Sequence, residues 1–282
     1  MRLLVTGAAG MLGHDVVAAA ERLGHEVVAW DLPECDLTDA AATLDAVRHL
    51  GPRAVVNCAA YTNVDAAESD EAAAERVNAD AAGNLARACA AAAARLVHVS
   101  TDYVFDGSKT EPWIESDPVA PLGAYGRTKL HGEQQVAAAL EDHAIVRSAW
   151  MFGPHGPNFV ATMLRLGSER DEVSVVTDQV GSPTYSGHLA PALVDMAERH
   201  DTRIFHGAGA GSCSWYELTL EAFDAAGVEC RVLPTTSSQF VRPAPRPAYS
   251  VLGSERDYPI VLPPWQEGVR AHLAAVNQVV PR

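Results

Sequence analysis

Tyr125-Gly-Arg-Thr-Lys129 sets a phenol and an ammonium four residues apart. On a helix that spacing puts both side chains on one face. A free phenol titrates near about 10, too high for easy proton exchange at neutral pH. A neighbouring cation stabilises the phenolate and lowers that value, and the same ammonium can hydrogen-bond a ribose. Upstream, Ser100-Thr101-Asp102 closes an apolar run. A hydroxyl at such a strand end can orient a substrate carbonyl and share its proton with Tyr125. Taken alone, the triplet also reads as a turn or helix cap, and Y-x-x-x-K arises often by chance. Their joint occurrence points to carbonyl chemistry.

That chemistry needs a coenzyme, and Gly7-Ala-Ala-Gly10-Met-Leu-Gly13 offers a place for one. Gly7, Gly10 and Gly13 follow an apolar run and open a helical pattern. They permit a tight turn, close backbone approach to a diphosphate and close helix–strand packing. The helix start then presents free N–H groups to the phosphates. Asp31 ends the next apolar run, where a carboxylate accepts hydrogen bonds from an adenosine ribose and disfavours a 2′-phosphate. A turn or cap aspartate is the plainer reading, and Arg2, Arg22 and Arg48 keep NADPH open beside NADH. Asp36-Leu37-Thr38 is suited to flank the adenine; a simple N-cap for the next helix explains Thr38 or Asp39 equally well.

Elements that position these groups follow from periodicity. Leu3–Val5, Glu26–Trp30, Ala54–Val56, Leu96–Val99 and Ala144–Val146 are short apolar runs, separated by helical patterns at Met11–Leu23, Asp39–His49, Glu71–Ala94 and Tyr125–Leu140. Such runs indicate a parallel sheet covered on both faces. The expected fold is α/β, a Rossmann-type doubly wound sheet with a smaller C-terminal substrate-binding lobe. The Ala-rich Glu71–Ala94 reads as one closely packed helix. Residues 1–150 form the expected NAD(P)-binding domain. Residues 151–282 form mainly the lobe, with some segments returning to the sheet. Beyond residue 150 Pro and Gly multiply, Ser214–Glu217 is a capping box, and Arg242–Pro247 is an extended segment.

Composition narrows the class. At 48% hydrophobic and 20% charged, the 282 residues are globular rather than disordered. A net charge of −15 argues against a nucleic-acid partner. No apolar run approaches the roughly 20 residues of a membrane span. Cys35, Cys58, Cys89, Cys213 and Cys230 are odd in number and lack C-x-x-C, which favours a reducing compartment, and Met1–Val5 reads as a buried strand; a cytoplasmic location is expected.

Several segments resemble the dTDP-4-dehydrorhamnose reductase family of the extended short-chain dehydrogenase/reductase superfamily. They are Asn57–Glu68, Ser100–Gly107, Tyr125–Glu133, Arg147–Trp150, Asn158-Phe159, Asp178–Thr184 and Arg242–Arg246. The resemblance runs from the first strand to about Trp265. It implies hydride transfer from NADPH or NADH to C4 of dTDP-4-dehydro-L-rhamnose, giving dTDP-L-rhamnose. By motif, Tyr125 would be the proton donor, Lys129 its activator and Thr101 the holder of the carbonyl oxygen. Gly10, Met11 and Leu12 would line the diphosphate. Asp31, Asp36 and Leu37 would flank the adenosine, with Ala60, Tyr61, Thr62 and Val99 along the rest of the coenzyme.

Asp102 and Trp150 would contact the sugar, joined by Tyr103 and Val64. Trp150 follows a strand and can stack on a pyranose or pack the lobe. Arg242 and Arg246 suit a diphosphate or simple solvation. Thr101-Asp102-Tyr103 lacks the glutamate of related dehydratases, which disfavours elimination, and the C-terminal blocks speak against epimerisation. Some family members dimerise around magnesium. Asp15 could serve, but Thr184–Ala190 offers only His188 and no carboxylate, so no metal residue is expected and monomer or homodimer stays open. A related deoxysugar reductase and a non-catalytic regulatory relative are the competing readings.

Overall fold

The computed structural model describes residues 1–279; the last three residues of the expected 151–282 span lie outside it. Alternation builds the first strand, β1 (Arg2–Thr6). Leu3 and Val5 point to one face of the sheet and Leu4 to the other, and all three are fully buried. Then follow α1 (Met11–Arg22), β2 (Glu26–Trp30), α2 (Ala40–Leu50), β3 (Ala54–Asn57) and α3 (Val64–Ser69). The Ala-rich stretch is α4 (Glu71–Glu75), a π turn (Arg76–Asp80) and α5 (Ala81–Ala92). Next come β4 (Arg95–Thr101), a 3-10 turn (Asp102–Val104), α6 (Ala124–Ala139) and β5 (His143–Ser148).

These strands, with a late one, form a six-stranded parallel sheet in the order β2-β1-β3-β4-β5-β10. The chain leaves β1 for β2 at the edge and returns to β3. The order therefore reverses between β1 and β3, and α/β sheets bind ligands outside the strand ends at such a point. One face packs on α1; the other packs on α2, α5 and α6, where alanines let the helices approach closely.

The second half of the chain is β6 (Met151–Phe152), α7 (Phe159–Glu169), β7 (Glu172–Val176), β8 (Val180–Gly181), β9 (Thr184–Tyr185), α8 (Ser186–Glu198), β10 (Ile204–His206), β11 (Cys213–Ser214), α9 (Trp215–Ala226), β12 (Arg231–Thr235) and α10 (Trp265–Val279). The strand pairs β6–β9, β7–β12 and β8–β11 belong to smaller sheets with their own apolar clusters. By contrast, β10 pairs with β5, and α8 packs on α1 against the main sheet. The Ser214–Glu217 capping box opens α9.

The Ala-rich stretch stays helical through both junctions of the π turn, a feature composition does not anticipate. Its middle widens by one residue per turn at Arg76–Asp80, and Asn78 there donates from Nδ2 to Tyr61 O (3.2 Å) and Thr128 Oγ1 (3.0 Å) while accepting from Tyr61 N–H (2.8 Å). Those bonds to other elements hold the wide turn. At α2, Asp39 rather than Thr38 is the N-cap, accepting from Ala41 and Ala42 N–H at 3.0 Å.

Candidate active site

Gly7 leaves β1 with φ +67°, and a Cβ there would lie 2.5 Å from Ala59 N. The glycine turn thus presses on the segment leaving β3, at the reversal point of the sheet. Gly13 is tighter still: its Cβ would be 2.1 Å from Gly7 O. Gly10 caps α1 without any side-chain hydrogen bond. The first N–H groups of the helix, at Met11, Leu12 and Gly13, are therefore left for an anion. These features fit a dinucleotide diphosphate.

Asp31 stands beside this turn. Its Oδ2 accepts from Ala9 N–H at 2.9 Å and its Oδ1 from Leu32 N–H at 2.9 Å. Asp36 accepts from the Thr38 N–H (2.9 Å) and hydroxyl (2.7 Å), which hold its carboxyl below the usual range. Leu37 is buried beneath it, its carbonyl taken by Asn84 Nδ2 at 3.0 Å. Ala60, Tyr61 and Thr62 run along the crevice after β3, with Tyr61 fixed at both backbone groups by Asn78.

The catalytic candidates meet at the C-terminal end of β4. Tyr125 and Lys129 are one turn apart near the start of α6. Lys129 is 2% exposed, and its Nζ donates to Val99 O at 2.7 Å. Thr101 Oγ1 donates to Asp102 Oδ1 (3.0 Å) and accepts from Tyr103 N–H (3.2 Å), and the Tyr125 phenol approaches it. Gly126 lets α6 lie against the 3-10 turn; a Cβ there would be 2.2 Å from Tyr103 O.

Burial pushes Tyr125 up to about 12, with Thr101 opposing and Asp102 adding to the shift. The net direction is thus opposite to the lowering expected of a neighbouring cation, and its largest cause is the loss of water around the phenol. Lys129 itself falls to about 8, because burial outweighs the attraction of Glu133 and Cys58. Asp102 rises to about 6, again through burial. Its Oδ2 has no hydrogen-bond partner among the described residues, nor does the nearby Ser250 hydroxyl.

Tyr103 meets Tyr125 edge-on, ring centroids 5.6 Å apart. Val64 opens α3, next to Asp65, which pairs with Arg246 and Arg242. Trp150 takes φ +46° and stacks on Trp215 at 3.5 Å and 2°. That face of the indole is committed to Trp215, Gly181 also lies close against the ring, and Trp150 itself follows β5, the strand that pairs with β4 at Thr101. Asp15 accepts from Ser186 Oγ. His188 is half-buried against Tyr185, at 5.0 Å, rather than a surface residue. Among the described residues no three His, Cys, Asp or Glu side chains gather as metal ligands do.

Two groups lay outside sequence reasoning. Glu133, one turn beyond Lys129, accepts from Ser100 Oγ at 2.6 Å and from Arg147 at 2.9 and 2.7 Å, all buried. Asn57 accepts from Thr6 Oγ1 (2.8 Å) and Ala59 N–H (3.1 Å) and meets His98 Nδ1 at 3.0 Å. The i,i+4 spacing of Lys129 and Glu133 was the one available signal.

The RmlD substrate binding domain family matches residues 1–278. This chain belongs to the RmlD, or dTDP-4-dehydrorhamnose reductase, family. It is 45% identical to the Mycobacterium tuberculosis dTDP-4-dehydrorhamnose reductase over 97% of this chain and 93% of that one. It is 42% identical to the Streptomyces niveus dTDP-4-keto-6-deoxy-D-glucose reductase over 99% and 96%. The crystal structure of the Bacillus anthracis dTDP-4-dehydrorhamnose reductase in complex with NADP superposes with a TM-score of 0.94 at 36% identity, covering 97% and 99%. The family relationship spans sheet and lobe alike, so the glycine turn, the Tyr125–Lys129 pair and the C-terminal half belong to one reductase fold.

Proposed function

We propose that this chain reduces the C4 ketone of dTDP-4-dehydro-L-rhamnose with NAD(P)H to give dTDP-L-rhamnose. One observation supports it most: Tyr125, Thr101 and Lys129 are brought to one strand end beside the glycine turn at the sheet's reversal point. The bound coenzyme supplies a hydride. Met11, Leu12 and Gly13 N–H groups would hold its diphosphate, Asp31 its adenosine ribose, and Lys129 its nicotinamide ribose.

Thr101 Oγ1 holds the ketone oxygen in place. A phenol at about 12 stays protonated throughout the neutral range, so Tyr125 arrives at the reaction as a donor. It gives its proton to the C4 oxygen as the C4–H bond forms, and the Lys129 ammonium stabilises the phenolate left behind. Asp102, Tyr103 and Val64 line the sugar side in this reading, and residues 151–282, apart from α8 and β10, serve as the substrate lobe. The Trp150 indole contributes an edge in this reading.

A second reading, reduction of a related dTDP-4-keto-deoxysugar, is favoured by the Streptomyces niveus relative, whose name gives a different sugar. The purified protein with dTDP-4-dehydro-L-rhamnose should consume reduced-nicotinamide absorbance. Turnover of other dTDP-4-keto sugars alone, with products identified by NMR, would select the second reading; no turnover with any would leave a non-catalytic relative. The dTDP-sugar is the proposed partner. No described helix is long and apolar enough to cross a membrane, and the five free thiols fit a cytoplasmic setting. Sedimentation distinguishes monomer from homodimer.

A further inference from the structure

Thr101 has one hydroxyl hydrogen and two acceptors competing for it. In the structure that hydrogen goes to Asp102 Oδ1 at 3.0 Å, while Thr101 Oγ1 accepts from Tyr103 N–H at 3.2 Å. A ketone oxygen only accepts, so Thr101 can hold it only by turning the same hydrogen away from Asp102. Asp102 is 1% exposed, and its other oxygen, Oδ2, has no partner among the described residues. Losing Thr101 as well would leave a buried carboxylate with no side-chain donor, which is costly. Another group must take up that carboxylate when the ketone binds.

One hydroxyl is placed to do so. Ser250 is also 1% exposed, and its Oγ is likewise unpartnered among the described residues. It stands near enough to Asp102 to oppose the rise that burial causes there. Its backbone is pinned on both sides. Ser250 N–H donates to Val180 O at 2.8 Å, and Trp113 Nε1 donates to Tyr249 O at 2.9 Å. Trp113 N–H donates to Val251 O at 2.8 Å. Strand β8 and the segment before α6 thus fix residues 249–251, while the Ser250 hydroxyl hydrogen can rotate to suit an acceptor. The titratable groups facing Asp102 are phenols, Tyr125 from α6 and Tyr103 from its own turn. Both are pushed up by burial and stay uncharged at neutral pH. Arg246, on the segment that carries Ser250, approaches the Tyr103 phenol.

We propose that Ser250 is a positioning residue for the ketone: its hydroxyl donates to Asp102 Oδ2 and so releases the Thr101 hydrogen to the substrate oxygen. One hydrogen bond to the carboxylate replaces another, and no proton changes its owner. Ser250 comes from the C-terminal half of the chain and acts on the reacting centre through Asp102. The lobe strand β8 and the catalytic strand β4 are coupled through that one side chain. The role given to Thr101 rests on the reductase reading, but the contact between Ser250 and Asp102 does not.

Ser250→Ala deletes the hydroxyl and little else. At pH 7.5 Asp102, with a value of about 6, is mainly ionised. The variant should then raise KM for dTDP-4-dehydro-L-rhamnose and lower kcat/KM about tenfold. At pH 5 the protonated carboxyl can donate its own O–H to Thr101, so the deficit should shrink to about twofold. Ser250→Thr keeps the hydroxyl and should restore most of the loss. A serine that only packs would give the same deficit at both pH values; that result overturns the proposal, as does activity close to wild type at pH 7.5. A second readout needs no turnover. The carboxyl carbon NMR signal of Asp102, assigned by its loss in Asp102→Asn, should titrate about half a pH unit or more higher in Ser250→Ala. An unshifted titration overturns the contact even where turnover falls. If the wild type reduces no 4-keto sugar yet the titration shifts, the reductase reading fails and the contact stands. Should Ser250→Ala fail to fold, Ser250→Cys, a weaker donor, carries the same titration, and an unshifted curve there overturns the proposal.

Discussion

In the proposed reaction Lys129 is the charge that stabilises the phenolate, and its surroundings set when that charge is present. Burial favours the neutral amine and brings its value down to about 8, while Glu133 one turn away pulls in the other direction. Below about 8 the ammonium dominates; above it the cation is lost. The value of kcat/KM should therefore be level through neutral pH and fall about tenfold per pH unit above about 8. Glu133→Gln should move that limb to lower pH. The same variant leaves Arg147 without its carboxylate and should cost about 3 kcal/mol of stability, so rates belong well below its unfolding temperature. A profile that stays flat to pH 10 would remove Lys129 from the proton chemistry. Tyr125→Phe should lower kcat by about 10²-fold or more with coenzyme affinity nearly unchanged, because only the proton donor is deleted. Near-normal turnover would mean that another group donates. At this scale the Tyr125–Lys129 pair was legible because both residues lie in one helical turn. Glu133–Arg147 was not, since Arg147 reaches it from a strand that the sequence does not register against α6.

Elements carry the coenzyme turn, and there the decisive quantity is space. A Cβ at Gly13 would meet the Gly7 carbonyl at 2.1 Å, whereas one at Gly10 would meet the same oxygen at 3.2 Å. Backbone cannot yield as a side chain can. Gly13→Ala should thus lower coenzyme affinity at least tenfold and reduce Tm, while Gly10→Ala should do less of both; calorimetric titration with NADPH and a melting curve would show it. Equal effects, or none, would mean that the turn does not hold the diphosphate. This turn was readable because three glycines follow a strand and precede a helix. The π turn was not readable. Alanine favours helix at every position and carries no information about where the helix widens. Asn78 breaks the alanine run, but its partners Tyr61 and Thr128 come from separate elements. The widened turn also brings Asn78 O to where a Cβ on Gly132 would lie at 2.1 Å, so α6 can approach only because residue 132 has no side chain.

For the whole molecule, the change in sequence texture near residue 150 is not a change of core. Leu3, Val5, Val56, Val97 and Val146 from the first half share one cluster with Leu189, Leu193, Val194, Met196 and Phe205 from the second. The parallel sheet explains why. A parallel sheet must be covered on both faces, and the face bearing α1 is closed only when α8 arrives from beyond residue 184. The later strand β10 then continues the sheet past β5. Periodicity revealed the strands up to Val146 but could not say which later helix would return, because α8 carries a proline, Pro191, inside it and its apolar residues could equally cover the lobe. A fragment ending at residue 150 would expose one face of its sheet to water, and should be unfolded by circular dichroism or insoluble. The full chain offers a milder check. Leu193 is fully buried in the shared cluster, so Leu193→Ala should cost about 2–5 kcal/mol. Its denaturant unfolding should remain a single transition if sheet and lobe-side helix form one cooperative core. Two separated transitions, with only the later half destabilised, would show that the chain beyond residue 150 folds apart from the sheet that α8 and β10 complete.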